Sequence, residues 1–172
     1  IDNFPYCQLD EKPAEGPNQQ TIEKTAEHIK NGKIVAWYQG NGELGPRALG
    51  NRSLLFNPLV PNGKKIINKV KNRENYRPFG ASILKKHVKE YFNSEIDNPY
   101  MLYVGKTTKN NLKSITHVDG TCRFQSVDQS NIIYYKLLSE FYKKTNCPLI
   151  LNTSFNINGK PIMSSIKVAK EF

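Results

Sequence analysis

Residues 131–156 read NIIYYKLLSEFYKKTNCPLILNTSFN, and this stretch decides the fold class. Ile132, Tyr135, Leu138 and Tyr142 recur at three and four residues, the spacing of one helix face, which predicts a helix over residues 131–145. A run from Pro148 to Leu151 then reads as a buried strand. That strand delivers Asn152, Thr153, Ser154, Phe155 and Asn156 into a loop, where amide and hydroxyl side chains offer donors and acceptors at a sheet edge. The same residues also suit a turn whose side chains bond to their own backbone.

Outward from there, residues 33–38 (KIVAWY) predict a second buried strand running into a glycine-rich loop over residues 39–46. Strands are also expected over residues 53–56, 79–84, 100–104, 114–118 and 123–127. Helices are expected over residues 21–31, with Ile22, Ala26 and Ile29 inward and Gly32 as the stop, and over residues 64–71 and 85–92, the last with Val88, Tyr91 and Phe92 inward. Helices and strands alternate irregularly, with several strands adjacent in sequence. The expected fold is therefore α/β of the mixed, α+β kind: a twisted mixed sheet with flanking helices.

With 172 residues, the chain suffices for one domain with its own core. The first twenty residues hold Pro5, Pro13, Gly16 and Pro17 and read as a leader or linker, leaving residues 21–172 as the domain. The chain begins with Ile1, and its last residues, from Ser164, look like a capped helix starting, so we expect a piece of something longer. No apolar run approaches the ~18 residues of a membrane span, and the start shows no signal-peptide pattern. Cys7, Cys122 and Cys147 are odd in number and far apart, and His28, His87 and His117 are equally scattered. Neither set has a disulfide or zinc spacing, so a cytoplasmic protein without its own metal is expected. The formal charge of +10 favours anionic partners: nucleic acid, membrane phosphates or small phosphorylated ligands.

Polar residues and turn-formers gather in a few segments. Residues 45–53 (GPRALGNRS) combine glycines that allow close backbone approach with the guanidinium forks of Arg47 and Arg52. The Walker spacing is absent. Residues 71–80 (KNRENYRPFG) place Lys71, Arg73 and Arg77 within seven residues, with Glu74 to hold an arginine. Residues 116–127 (THVDGTCRFQSV) carry an Asp119–Gly120 turn signal, His117, and Arg123 early in a strand, where burial would demand an anion. The remaining segment is the Asn152–Asn156 loop. No Ser-His-Asp arrangement is present, and Cys122 beside Arg123 is the one candidate nucleophile.

In this order the segments resemble the C-terminal domain of the NodU/CmcH-type O-carbamoyltransferases, on GPRALGNRS (45–53), residues 68–79, HVDGTCRFQSV (117–127) and NTSFNINGKPI (152–162). The resemblance runs from Lys33 to the end. It departs at Gly80 and Ser82, where an Ala-Pro-Ser-like run is expected, and at Cys122, where a small residue is common. It implies a YrdC-like fold, similar to threonylcarbamoyl-AMP synthase, around a basic crevice. Implied too is formation of carbamoyl-adenylate from carbamoyl phosphate and ATP, with Mg2+ on the nucleotide. An N-terminal transferase domain of the same polypeptide would then carry the carbamoyl group to a small-molecule hydroxyl. Carried over residue by residue, Arg47, Lys71, Arg77, Arg123, Asn152 and Ser154 fall on phosphate- and carbamoyl-binding positions, with Lys71, Arg77 and Arg123 as the catalytic cations. The alternative is a basic RNA-binding module of the same fold, disfavoured because the chain lacks an RRM-like aromatic motif.

Overall fold

The structure, a computed structural model, describes residues 17–170. Most of the expected leader therefore lies outside the described residues, and Gln19 and Gln20 already belong to the first helix, α1 (Gln19–Lys30). Asn18 caps α1 by accepting from the Thr21 amide at 2.8 Å, and Ile22, Ala26 and Ile29 are buried as their spacing predicts. After α1 come β1 (Val35–Tyr38), β2 (Arg52–Phe56), α2 (Gly63–Val70), β3 (Gly80–Leu84), α3 (Val88–Phe92), β4 (Val104–Lys106) and β5 (Thr121–Val127). The chain continues through α4 (Ile132–Thr145) and β6 (Leu149–Ser154) to α5 (Ile166–Lys170).

The strands form one six-stranded sheet in the order β1-β2-β6-β3-β5-β4, antiparallel throughout except for the parallel β3–β5 pair. This is the mixed α/β sheet with flanking helices that the irregular alternation implied. α4 packs against β3 and β6, and α1 packs on α4. A single large core of aliphatic and aromatic side chains, including Leu55, Ile83, Phe124, Leu138 and Ile150, joins these layers.

Several sequence expectations change. The buried residues of α4 are Tyr134, Leu137, Leu138 and Phe141, while Ile132 is exposed. Both sets satisfy the three-and-four spacing, so periodicity finds the helix without choosing its inward face. The strand expected over residues 100–104 is a loop up to Val104. Buried Asn98 organises it, accepting from the Leu102 amide at 2.8 Å and donating to the Tyr103 and Phe124 carbonyls at 3.1 and 2.6 Å. The strand expected over residues 114–118 is a turn: the Thr116 amide and hydroxyl both donate to the Leu112 carbonyl, at 3.0 and 2.9 Å. Leu112 and Ile115 still supply core contacts, which explains the apolar pattern. Asn152, Thr153 and Ser154, expected in a loop, are the last residues of β6, paired with β2 on one side, Asn152 also opposite Gly80 of β3.

Candidate functional site

Side chains alternate across a strand, so the register of the sheet decides what shares a face. Gly80 lies opposite Asn152, Ser82 opposite Gln125, and Ser53 opposite Ser154. Arg123 is two residues from Gln125, and Ser154 two from Asn152. Ser53, Ser154, Asn152, Gly80, Ser82, Gln125 and Arg123 thus make a polar band across one face, at the end of the sheet where β6 finishes and β3 and β5 begin. The loop between β1 and β2 covers part of this band.

A crevice of about 110 Å³ opens there, lined by Arg47, Arg73, Arg123, Asn152, Thr153 and Ser154 with Pro46, Ala48, Pro78, Phe79, Gly80 and Met101. Three guanidinium-bearing residues line it, and no carboxylate does. Burial, then the neighbouring Arg47, lowers the pKa of Arg123, whose Nε is buried without a hydrogen-bond partner. Arg73 lies over the Phe79 ring, 4.4 Å from its centroid, and donates through Nε to Asn68 Oδ1 at 2.5 Å. Burial lowers its pKa too, followed by repulsion from Arg77 and a smaller one from Arg123, with Glu74 opposing. Arg47 Nη1 meets the Pro46 carbonyl at 3.2 Å. Burial is the leading cause for both Arg73 and Arg123, and a crevice lined by positive charge without a carboxylate has the electrostatic character that suits an anion.

Asn152 is buried at the floor. Its Nδ2 donates to the Ala48 carbonyl and to Ser82 Oγ, while its Oδ1 is buried without a partner. Ser154 Oγ donates to Asn156 Oδ1 at 2.6 Å. The other two cations singled out from the sequence stand elsewhere. Lys71 is buried outside the lining, its Nζ donating to Ser154 O and Oγ (2.5 and 3.2 Å) and to Asn156 O and Oδ1 (3.0 and 2.8 Å). Burial, then Arg73, pushes its pKa down to about 7. Arg77 is also outside the lining, and its Nε pairs with Glu74 at 2.7 Å in a half-exposed ion pair.

Arg52, grouped with Arg47 on sequence grounds, has a different task. It is buried against the Tyr38 ring and donates to the carbonyls of Gln39, Gly40 and Asn51, knitting the two ends of the β1–β2 loop together. Glu43 completes that loop, its carboxylate accepting from the backbone amides of Leu49 (2.7 Å), Asn51 (2.9 Å) and Arg52 (3.2 Å). His117 stands outside the lining, with its pKa lowered chiefly by burial. The Cys122 thiol is fully buried and pushed up to about 12, which removes it as a nucleophile at neutral pH.

Sequence reasoning grouped Arg73 with Lys71 and Arg77 as a candidate phosphate clamp but carried only the other two over as site residues, and it missed Glu43, Ser82 and Gln125 as organisers. Arg73 shares its segment with Lys71 and Arg77, and nothing in the spacing says which cation turns inward. Gln125 carried a usable signal, because a strand places it on the same face as Arg123. Among the described residues no cluster of His, Cys, Asp or Glu suits a metal ion, and no helix is long and apolar enough to cross a membrane.

Two crystal structures share the fold. Full-length HypF, in a phosphate- and nucleotide-bound form, matches with a TM-score of 0.62 at 22% identity over 99% of this chain and 28% of its own. Sua5 of P. abyssi, complexed with L-threonine, matches with a TM-score of 0.67 at 23% identity over 91% of this chain and 45% of its own. Both have the YrdC-like fold, which is therefore the fold of this domain. In sequence, nodulation protein NolNO of Sinorhizobium fredii is 43% identical over 83% of this chain and 22% of its own length. The 3'-hydroxymethylcephem-O-carbamoyltransferase of Amycolatopsis lactamdurans is 39% identical over 77% of this chain and 26% of its own. The chain thus spans about a quarter of the length of these relatives. Residues 26–172 match the family described as Carbamoyltransferase C-terminus. With its sheet, its arginine-lined crevice and this match over most of its length, the chain belongs to the carbamoyltransferase family.

Proposed function

We propose that this domain forms carbamoyl-adenylate from carbamoyl phosphate and ATP. Water first displaces phosphate from carbamoyl phosphate, giving carbamate. A carbamate oxygen then bonds to the α-phosphorus of ATP as the bond to the β-phosphate oxygen breaks and pyrophosphate leaves. The observation that carries this reading is the crevice itself: Arg47, Arg73 and Arg123 converge without a carboxylate, and Arg123 Nε is buried and unpartnered. Such positioned cations stabilise charge that builds on phosphoryl oxygens. At about 110 Å³ the crevice suits a group of phosphate size. That is below the ~300 Å³ at which drug-sized pockets begin, so a nucleotide would enter with only part of its length.

In this scheme Arg47 and Arg123 hold the carbamoyl phosphate, with Arg73 a further cation on its phosphate. The unpartnered Asn152 Oδ1 accepts from the carbamoyl N–H, and Ser154 faces a phosphate oxygen. Arg77 binds nucleotide phosphates after parting from Glu74, an exchange made easy by the exposure of that pair. Lys71 adds positive potential from behind Ser154 to the leaving oxygens. A magnesium ion would arrive on the ATP phosphates, since the domain offers it no ligand cluster among the described residues. Residues 21–172 would be the C-terminal unit of a longer cytoplasmic enzyme whose N-terminal domain passes the carbamoyl group to a small-molecule hydroxyl. The cephem O-carbamoyltransferase name of one relative supports transfer to a hydroxyl, and the quarter of the relatives' length that this chain spans supports a further domain.

The test is pyrophosphate release from ATP and magnesium, with and without carbamoyl phosphate, in the wild type and in Arg123→Ala and Arg77→Ala. Release that requires carbamoyl phosphate and collapses in both variants is expected. No release, together with RNA binding that weakens steeply with salt, would reject the enzyme in favour of a nucleic-acid module.

A further inference from the structure

Three side chains on the crevice-bearing face form a chain of hydrogen bonds that ends on the loop carrying Arg47. Asn152 Nδ2 donates to the Ala48 carbonyl at 3.0 Å and to Ser82 Oγ at 2.8 Å. Ser82 Oγ donates to Gln125 Oε1 at 2.7 Å, and Gln125 Nε2 donates to the Leu49 carbonyl at 3.0 Å. All three side chains are buried. A hydroxyl has one proton, so Ser82 fixes the direction of the whole chain: it accepts from one carboxamide and donates to the other. The two carbonyls that follow Arg47 are thereby held by amides from β6 and β5, joined through β3.

Gly50 lies against the Tyr134 ring so closely that a Cβ there would come within 2.4 Å of a ring carbon. Arg47 itself has a neighbouring carbonyl as its hydrogen-bond partner, so the aim of its guanidinium depends on the backbone behind it. Neither Ser82 nor Gln125 lines the crevice.

We infer that Ser82 and Gln125 are positioning residues which, with Asn152, set the backbone of Ala48 and Leu49 and so aim Arg47 into the crevice. The assignment rests on the anion-binding role proposed above for Arg47. Small displacements of an anion-binding group weaken its contacts, so an amide set one strand behind the loop acts on affinity without touching ligand.

Gln125→Met keeps length and burial and removes both hydrogen bonds. Two readouts on the full chain test it. In amide hydrogen exchange, Leu49, Gly50 and Asn51 are expected to exchange about tenfold faster, with the β3–β6 amides unchanged. Unchanged protection of the loop would overturn the inference. Titration with inorganic phosphate and with carbamoyl phosphate is then compared in wild type, Arg47→Ala, Gln125→Met and the double variant. Gln125→Met is expected to bind about tenfold more weakly, and the double variant no more weakly than Arg47→Ala. Losses that multiply would show Gln125 acting independently of Arg47 and would also overturn it. A wild-type chain that binds neither ligand rejects the proposed function, while exchange still decides the clamp. Should Gln125→Met not fold, Ser82→Ala carries the same readouts and the same expected outcomes.

Discussion

Lys71→Met separates the energetics of a buried ammonium from those of its hydrogen bonds. Lys71 is buried among oxygens of Ser154 and Asn156, and no carboxylate pairs with it among the described residues. Burial and Arg73 lower its pKa from 10.5 to about 7. The unfolded chain therefore holds this proton up to the ordinary range, whereas the folded chain releases it near neutrality. Between those values the unfolded state binds more protons, so stability rises with pH. Below pH 7 both states are charged and the cost of burial is fully present; above 10.5 both are neutral and it is gone. At about 1.4 kcal/mol per pKa unit the full span is roughly 4–5 kcal/mol, of which about 2 kcal/mol falls between pH 7 and 9. Urea denaturation of wild type and Lys71→Met at pH 7, 8 and 9 measures it. The difference in stability, wild type minus variant, is expected to grow by about 2 kcal/mol across that window. Using the difference matters, because Cys122 and Cys147, raised to about 12 and 11, pull the opposite way in both proteins above their unfolded pKa values. The variant also strands acceptors on Ser154 and Asn156, at about 1–3 kcal/mol for each one left unsatisfied. That cost does not vary with pH, so it shifts the curves without tilting them. Parallel curves would refute the reading of Lys71 as a desolvated cation.

Arg123→Met removes an unpartnered, partly buried cation, and it is expected to leave urea stability unchanged or raised while phosphate binding is lost by calorimetry; a clear loss of stability would show that Arg123 is a structural residue. Gly50→Ala forces a Cβ against Tyr134 at a φ of +100°, and a loss of about 2–4 kcal/mol in urea unfolding is expected, with a neutral effect counting against the close approach. Glu43→Gln weakens three backbone amide bonds at once, and about 1–3 kcal/mol of stability should go with them. In the same variant, faster exchange confined to the Leu49, Asn51 and Arg52 amides is expected, and exchange like that of wild type would mean the carboxylate does not organise the loop.

What the sequence made legible follows from which forces act locally. α1 and the position of β1 were readable because each is closely patterned and bounded by its own breakers, such as Gly32. β1 is nonetheless an edge strand with only Trp37 buried, rather than the buried strand expected, since β2 covers it on one side alone. The inward face of α4 was not, because Ile132, Ile133, Tyr134 and Tyr135 are all apolar enough to serve, and only the position of β3 and β6 beneath the helix selects Tyr134. Residues 100–104 carry strand-like side chains, yet Asn98 supplies their backbone with partners that a neighbouring strand would otherwise provide. The cations divide the same way. Arg47, Arg123, Asn152 and Ser154 come to one crevice because they sit at strand ends or in the glycine-rich loop over them, places that pattern can locate. Arg52 sits in a nearly identical sequence setting but turns to the carbonyls of residues 39, 40 and 51, which exist as a cluster only once β1 and β2 have paired. A guanidinium goes where acceptors have been left over, and the backbone of the whole sheet determines where those are. Arg123 differs from Arg52 not in its Nε, which is buried without an acceptor in both, but in its terminal nitrogens. Those of Arg52 reach backbone carbonyls, whereas the described residues give the Arg123 guanidinium no acceptor, a pattern that supports the phosphate-binding role proposed for it.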